Sequence, residues 1–249
     1  MSIVNSEAGT RIDEVARGIY RISTPVPPNP ALSLGFSFNQ LLIAAEAPLL
    51  FHTGPRRLFP LVRDAVATVL KPEELRYIGF SHTEGDESGS LREWLELAPQ
   101  SQALCSQIAA MIFANDASDR PVRAMTDGER LDLGGHEVTW FDAPHVPHGW
   151  DAHVLYEETT GTLFCGDLLS QVGDGPALTA NDVVDAATQT EDMFGATCLT
   201  PHTSPTIRRL AALAPTTLAI MHGSSYNGDA GKALLALADD YEQRLAQAG

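Results

Sequence analysis

The chain has 249 residues, 44% hydrophobic and 19% charged, enough to bury a sizeable core within one α/β domain spanning 1–249. Its 16 Lys and Arg face 32 Asp and Glu, a formal net charge of −16. A surface of that sign repels phosphate backbones and anionic lipid, which excludes nucleic acid as a partner and a polybasic membrane contact. Met1 to Arg21 holds no basic-then-apolar leader, and no stretch reaches the ~18 apolar residues of a membrane span. Cys105, Cys165 and Cys198 are odd in number and far apart, so they read as reduced thiols and the expected compartment is the cytoplasm.

In chain order, Gly18 to Ile22 alternates like a strand, and the prolines of Pro25 to Pro30 form a stiff loop. Leu41-Leu42-Ile43-Ala44 and Leu49-Leu50-Phe51, split by Ala45-Glu46-Ala47-Pro48, predict a hairpin. Apolar residues at Leu58, Leu61, Val62, Ala65, Val66 and Val69 have helical spacing, which predicts a helix over 56–70. A short buried strand follows at Arg76 to Ser81, then helices over 90–97 and 101–114. Val138 to Phe141, Val154 to Glu157 and Thr162 to Cys165 are expected strands, the last two joined by Thr159-Thr160-Gly161. Weak helical character covers 179–195 and stronger character 206–213. A strand at 217–221 and a helix at 230–246 close the chain. Strands and helices intermixed with short connections mean a layered α/β fold.

The polar residues fall at strand ends, where rigid scaffolds present chemistry. Four segments stand out: Ser81-His82-Thr83-Glu84-Gly85-Asp86-Glu87, Pro144-His145-Val146-Pro147-His148-Gly149-Trp150-Asp151, Cys165-Gly166-Asp167, and Met221-His222-Gly223. They hold four of the eight histidines and a dense group of carboxylates. Imidazole with carboxylate is a ligand set for iron, manganese or zinc. Each piece alone has an ordinary reading. The acids of 84–87 precede a helix and suit its dipole, Asp167 suits a turn, and His222 suits a satisfied core histidine. Their co-occurrence at strand ends favours a metal site, with His145 and His148 competing for one place.

The order of these segments resembles the metallo-β-lactamase superfamily over nearly the whole chain. His82-Thr83-Glu84-Gly85-Asp86 carries Glu where zinc hydrolases of that superfamily carry a second His. In this it is similar to the diiron branch, the flavodiiron and oxygen-binding diiron proteins, as is His148-Gly149-Trp150-Asp151. The resemblance implies a four-layer αββα metallo-β-lactamase sandwich with two metal ions at one edge. One ion would take His82, Glu84 and His148, the other Asp86 and His222, with Asp167 bridging. It leaves His145 aside. Two departures stand out. Glu87 occupies the place where the family carries His, so that either Glu87 binds the second ion as a carboxylate or that site is weakened; His52, in His52-Thr53-Gly54, replaces a strand-end Asp and is expected as support near the site.

The resemblance implies two irons, with zinc or manganese as other loadings, that bind or reduce O₂ or NO. No bound flavin is expected, so reduction would draw on an external redox partner; without one the site would be a non-catalytic oxygen sensor. The alternative is a metal-dependent hydrolase of an ester, lactone, thioester or phosphoester, acting through a metal-bound hydroxide on a small-molecule substrate. Asp151, Trp150, His202 and Tyr226 are candidate supporting or pocket residues by their nearness to ligand loops. Leu58, Phe59 and Phe113 are candidates for a homodimer face, and a buried core accounts for them equally well.

Overall fold

The computed structural model describes residues 2–30 and 32–248. Two sheets form its middle. The first has eight strands in sequential order: Ser2–Asn5, Thr10–Ala16, Ile19–Val26, Phe36–Ile43, Leu49–Phe51, Tyr77–Gly79, Gln102–Ser106 and Arg123–Met125. The second runs Leu178–Thr179, Ser225–Tyr226, Thr217–Ala219, Thr162–Phe164, His153–Glu157, Glu137–Asp142 and Arg130–Asp132. The last four strands of the first sheet are mutually parallel, as are Thr162–Phe164 and Thr217–Ala219 in the second.

Side-chain alternation shows how the layers stack, because successive strand residues point to opposite faces. Leu41, Ile43, Leu49, Phe51 and Leu104 turn inward and meet Val138, Trp140, Leu155, Phe164 and Ala219 of the second sheet. Their neighbours Leu42, Leu50, Ala103 and Cys105 turn outward onto Val62, Val66, Leu91, Trp94 and Ala110 of the helices over the first sheet. On the far side Val154, Tyr156, Leu163 and Leu218 pack on Ala187, Ile207, Leu210, Leu234 and Leu237. Those five residues belong to the helices Val184–Phe194, Thr203–Ala211 and Ala230–Ala248. The order is therefore helix, sheet, sheet, helix, the expected αββα sandwich.

Two expectations are corrected. The helix expected over 101–114 begins as the strand Gln102–Ser106, and helical turns occupy only 107–117, with a π-helical turn at Ala110–Ala114. That strand lies between two parallel partners and is buried on both faces, so it shows no alternation and reads as a buried helix. The helix expected over 56–70 is a 3₁₀ turn at Arg56–Leu58 followed by Phe59–Val66. Leu58, Phe59 and Phe113, candidates for a dimer face, are partly buried against the core beneath these helices. Among the described residues no helix is long and apolar enough to cross a membrane.

Candidate metal centre

His82, Asp167 and His222 each lie three residues beyond the end of a strand: Tyr77–Gly79, Thr162–Phe164 and Thr217–Ala219. The two sheets end together there, so residues far apart in sequence meet at one edge. The Asp167 carboxylate sits at the middle. Its Oδ2 lies 3.1 Å from His148 Nε2 and 3.5 Å from His82 Nε2, while its Oδ1 lies 3.2 Å from His222 Nε2. Glu84 Oε1 faces the first pair, 3.5 Å from His148 Nε2 and 3.9 Å from His82 Nε2. Asp86 Oδ2 faces the other side, 3.3 Å from His222 Nε2. Glu87, fully buried, reaches both sides: it groups with His82 and Asp167, and with Asp86 and His222. All six expected ligands and Glu87 thus converge.

The imidazoles are held from behind. His222 Nδ1 donates to the Ser37 carbonyl at 2.8 Å, which fixes the tautomer and leaves the Nε2 lone pair facing Asp86 and Asp167 once that nitrogen is deprotonated. Phe36 stacks on the same ring with centroids 4.1 Å apart. The Gly223 amide donates to Ser37 Oγ, and the Gly223 carbonyl accepts from Asn39 Nδ2 and from the buried Arg21 guanidinium. Gly223 has φ +87°, and a Cβ there would lie 2.7 Å from Gln171, so only glycine turns the chain so tightly behind His222. On the other side Ser81 Oγ lies 3.0 Å from both His82 Nδ1 and His52 Nε2. His52 therefore supports His82 at one remove, as expected of it. It holds a left-handed backbone conformation, φ +67°, that non-glycine residues rarely adopt. Burial pushes its pKa down to about 3, so it is neutral. Asp151 supports the loop from below, its Oδ2 accepting from the Thr83 amide and hydroxyl.

The electrostatics are those of a site awaiting cations. Burial would lower the pKa of His222, but Asp167 and Asp86 raise it to about 10. Burial would lower that of His148 too, and Asp167, Glu84 and Asp86 raise it. Burial would raise Asp167, yet the histidines around it hold it well below the usual carboxylate range. Glu87 moves the other way, well up, through burial and the repulsion of Asp167, Asp86 and Glu84. Without ions, protons on His222 and Glu87 offset charge that the fold has brought together.

The donor set fits metal ions. An ion about 2.0–2.2 Å from each N or O donor needs donors roughly 3–3.5 Å apart, and the separations across Asp167 fall in that range. His82 Nε2 is buried with no hydrogen-bond partner among the described residues, and so are both oxygens of Glu87 when that carboxyl is ionised. Such orphaned atoms cost free energy unless something occupies them. His82, Glu84 and His148 would hold one ion; Asp86, Glu87 and His222 would hold the other; Asp167 spans both.

Other expected residues lie elsewhere. His145 is exposed, and His148 takes the inward place, its loop turned by the His145 amide donating to the Gly149 carbonyl. Trp150, half exposed, lines a separate depression with Ser106, Pro144 and Asp142. His202 is exposed just before the helix Thr203–Ala211, and Tyr226 is buried under the second sheet. Nearness in sequence misled here because loops leave the strand ends in diverging directions. Sequence reasoning missed Ser37, Asn39 and Arg21, and gave Ser81, inside a ligand segment, no role of its own. Only Ser81, next to a ligand, carried a local signal.

A four-layer αββα sandwich with histidines and carboxylates gathered at one sheet edge defines the metallo-β-lactamase fold. The chain belongs to the family described as ODP family beta lactamase, whose model matches residues 36–223. Among curated relatives it is similar to the putative diflavin flavoprotein A 1 of Nostoc sp., 33% identical over 137 residues, covering 54% of this chain and 23% of that one. It is 28% identical to the flavo-diiron protein FprA2 of Clostridium acetobutylicum over 137 residues, covering 54% of this chain and 34% of that one. The chain thus matches about a quarter of the length of the first relative and about a third of the second. Among solved structures, the metal-soaked Flv1 flavodiiron core from Synechocystis sp. superposes with a TM-score of 0.78 at 23% identity, over 95% of this chain and 61% of that one. Rubredoxin oxygen:oxidoreductase from Desulfovibrio gigas superposes with the same score at 19% identity, over 95% and 62%.

Proposed function

We propose that this centre holds two metal ions, iron by preference over zinc or manganese, and that it binds or reduces O₂ or NO with electrons from an external donor. The observation that carries the reading is Asp167, whose two oxygens face two separate His–carboxylate groups. The names of relatives and structural neighbours, flavo-diiron protein and oxygen oxidoreductase among them, support it. So does the donor chemistry. Four carboxylates, Glu84, Asp86, Glu87 and Asp167, neutralise two divalent ions. Anionic ligands favour the higher oxidation state and weaken the Lewis acidity that a hydrolytic hydroxide needs.

When bound, the ion pair supplies the electrons and the open coordination positions for a diatomic ligand. The protein's part is to hold and orient. Ser37 and Ser81 fix the imidazoles of His222 and His82 from behind. The burial of Glu87 and Asp167 keeps water from competing for the donors. Glu84, Asp86 and His148 are the more exposed members and border the open side of the site.

Protein produced in iron-supplemented medium, reduced anaerobically and mixed with O₂ or NO, tests the reading. About two irons per chain, magnetically coupled in Mössbauer spectra, and rapid gas consumption are expected. Tight zinc binding with turnover of a chromogenic ester and no gas consumption would contradict it.

A further inference from the structure

A cavity of 510 Å³ opens directly above the centre, with Glu84, Asp86, His148, Asp167 and His222 along its floor. A diatomic gas needs little more room than a water molecule, about 30 Å³. The cavity instead has the size of sites that take organic ligands, roughly 300–1,000 Å³. Its walls are apolar and aromatic: Phe36, Phe38, Leu169, Phe194 and Tyr241. Phe36 is the hub, edge-on to Phe38 at 5.9 Å and to Phe194 at 6.3 Å and stacked on His222. No lysine or arginine is among the described residues that line it, while Glu191 adds a further acid to the wall. The cationic groups it does hold, His148 and His222 on the floor, already face Asp167 and Asp86, so an anionic group finds no free countercharge in the walls of a chain of net charge −16.

We infer that this cavity binds an uncharged aromatic molecule of the hydroquinone class, and that this molecule is the external electron donor. The inference rests on the proposed redox reading and names the donor it leaves open. The ring lies against the phenylalanine walls, where edge-to-face contact is favourable. Its hydroxyl groups, which only a protonated, uncharged form retains, meet the carboxylate-rich floor as donors. The stoichiometry closes: each hydroquinone loses two electrons and two protons and leaves as the quinone, and two of them reduce one O₂ to two waters. A phosphorylated or carboxylated carrier finds no countercharge in the pocket walls.

The test uses 1,4-dihydroxynaphthalene and its 2-sulfonate, titrated by calorimetry under argon into zinc-loaded protein, where no redox turnover intervenes. Saturable binding of the neutral probe, at least tenfold tighter than the sulfonate, is expected. Phe194→Ala should weaken it about fivefold by removing one ring contact. Ala196→Phe, on an exposed lining position, should block it. Both variants should keep the wild-type metal content, because neither side chain carries a donor atom. With iron, the neutral probe should drive O₂ uptake and each variant should slow it in step with its loss of binding. Absence of saturable binding, equal binding of the sulfonate, or indifference to both variants overturns the inference. If chemically pre-reduced iron protein still consumes O₂ in that case, the donor inference alone falls. Tight probe binding by a protein that takes up no iron overturns the donor role and the redox reading together.

Discussion

Glu87→Gln separates what this residue does with and without metal. Its carboxyl is fully buried and is pushed towards the neutral form by burial, by the repulsion of Asp167, Asp86 and Glu84, and by the hydrogen bond that its protonated form donates to Asp86. In the metal-free protein the neutral amide replaces a neutral acid of the same shape and can donate to those carboxylates. The metal-free variant should therefore be at least as stable as wild type. With metal the balance reverses, because a charged donor shared by both halves of the site is gone. A loss of ten- to a hundredfold in affinity, typical for disturbing a metal site, removes about 1.4–2.8 kcal/mol of ligand-linked stability at saturation. For a chain of this size that is a metal-induced Tm shift smaller by roughly 3–10 °C. Thermal unfolding with and without Fe(II), alongside metal analysis of the same samples, reads both effects. A variant with wild-type stoichiometry and an undiminished metal-induced shift would refute the placement of Glu87 among the donors.

Glu87→His should retain two ions per chain while raising the reduction potential, since a neutral donor replaces an anion; spectroelectrochemistry reads the direction. Ser81→Ala breaks contacts to both His82 and His52, and should cost about 1–3 kcal/mol of stability and lower metal occupancy more than it lowers helical content. The pH dependence should flatten when metal is bound. His222 is raised from 6.5 to about 10, so the stability it contributes to the metal-free protein is complete below pH 6.5 and is lost as the pH climbs towards 10. Glu87, a carboxyl with a raised pKa, binds its proton more tightly folded than unfolded and also loses stability as the pH rises. Metal ions compete with those same protons, so the metal-induced Tm shift should grow over the window in which the metal-free Tm falls. Parallel curves for the two forms would contradict this.

The layers and the ligands were legible in the sequence for different reasons. The paired apolar runs of Leu41 to Ala44 and Leu49 to Phe51 and the helical spacing in Leu58 to Val69 are local patterns, and the structure keeps both the hairpin and a shortened helix. Gln102–Ser106 was not legible as a strand, since burial on both faces erases the period that separates strand from helix. The ligands could be read because their types and order are local and the resemblance aligns them. What holds them is not local: Ser37, Asn39 and Arg21 reach the His222 loop from the opposite sheet, across more than 180 positions in the chain. The cavity wall was missed likewise. Phe36 and Phe38 look like ordinary alternating strand residues until the helix carrying Phe194 is placed beside them.

The central claim is that Asp167 joins two metal sites into one, and the ion count of Asp167→Asn tests it most directly. Wild-type protein reconstituted with Fe(II) should hold about two irons per chain with a magnetically coupled Mössbauer signature. The variant should lose the coupling and at least one ion while its circular dichroism stays native. Two coupled irons in the variant, or a wild-type protein that binds none, would contradict the account.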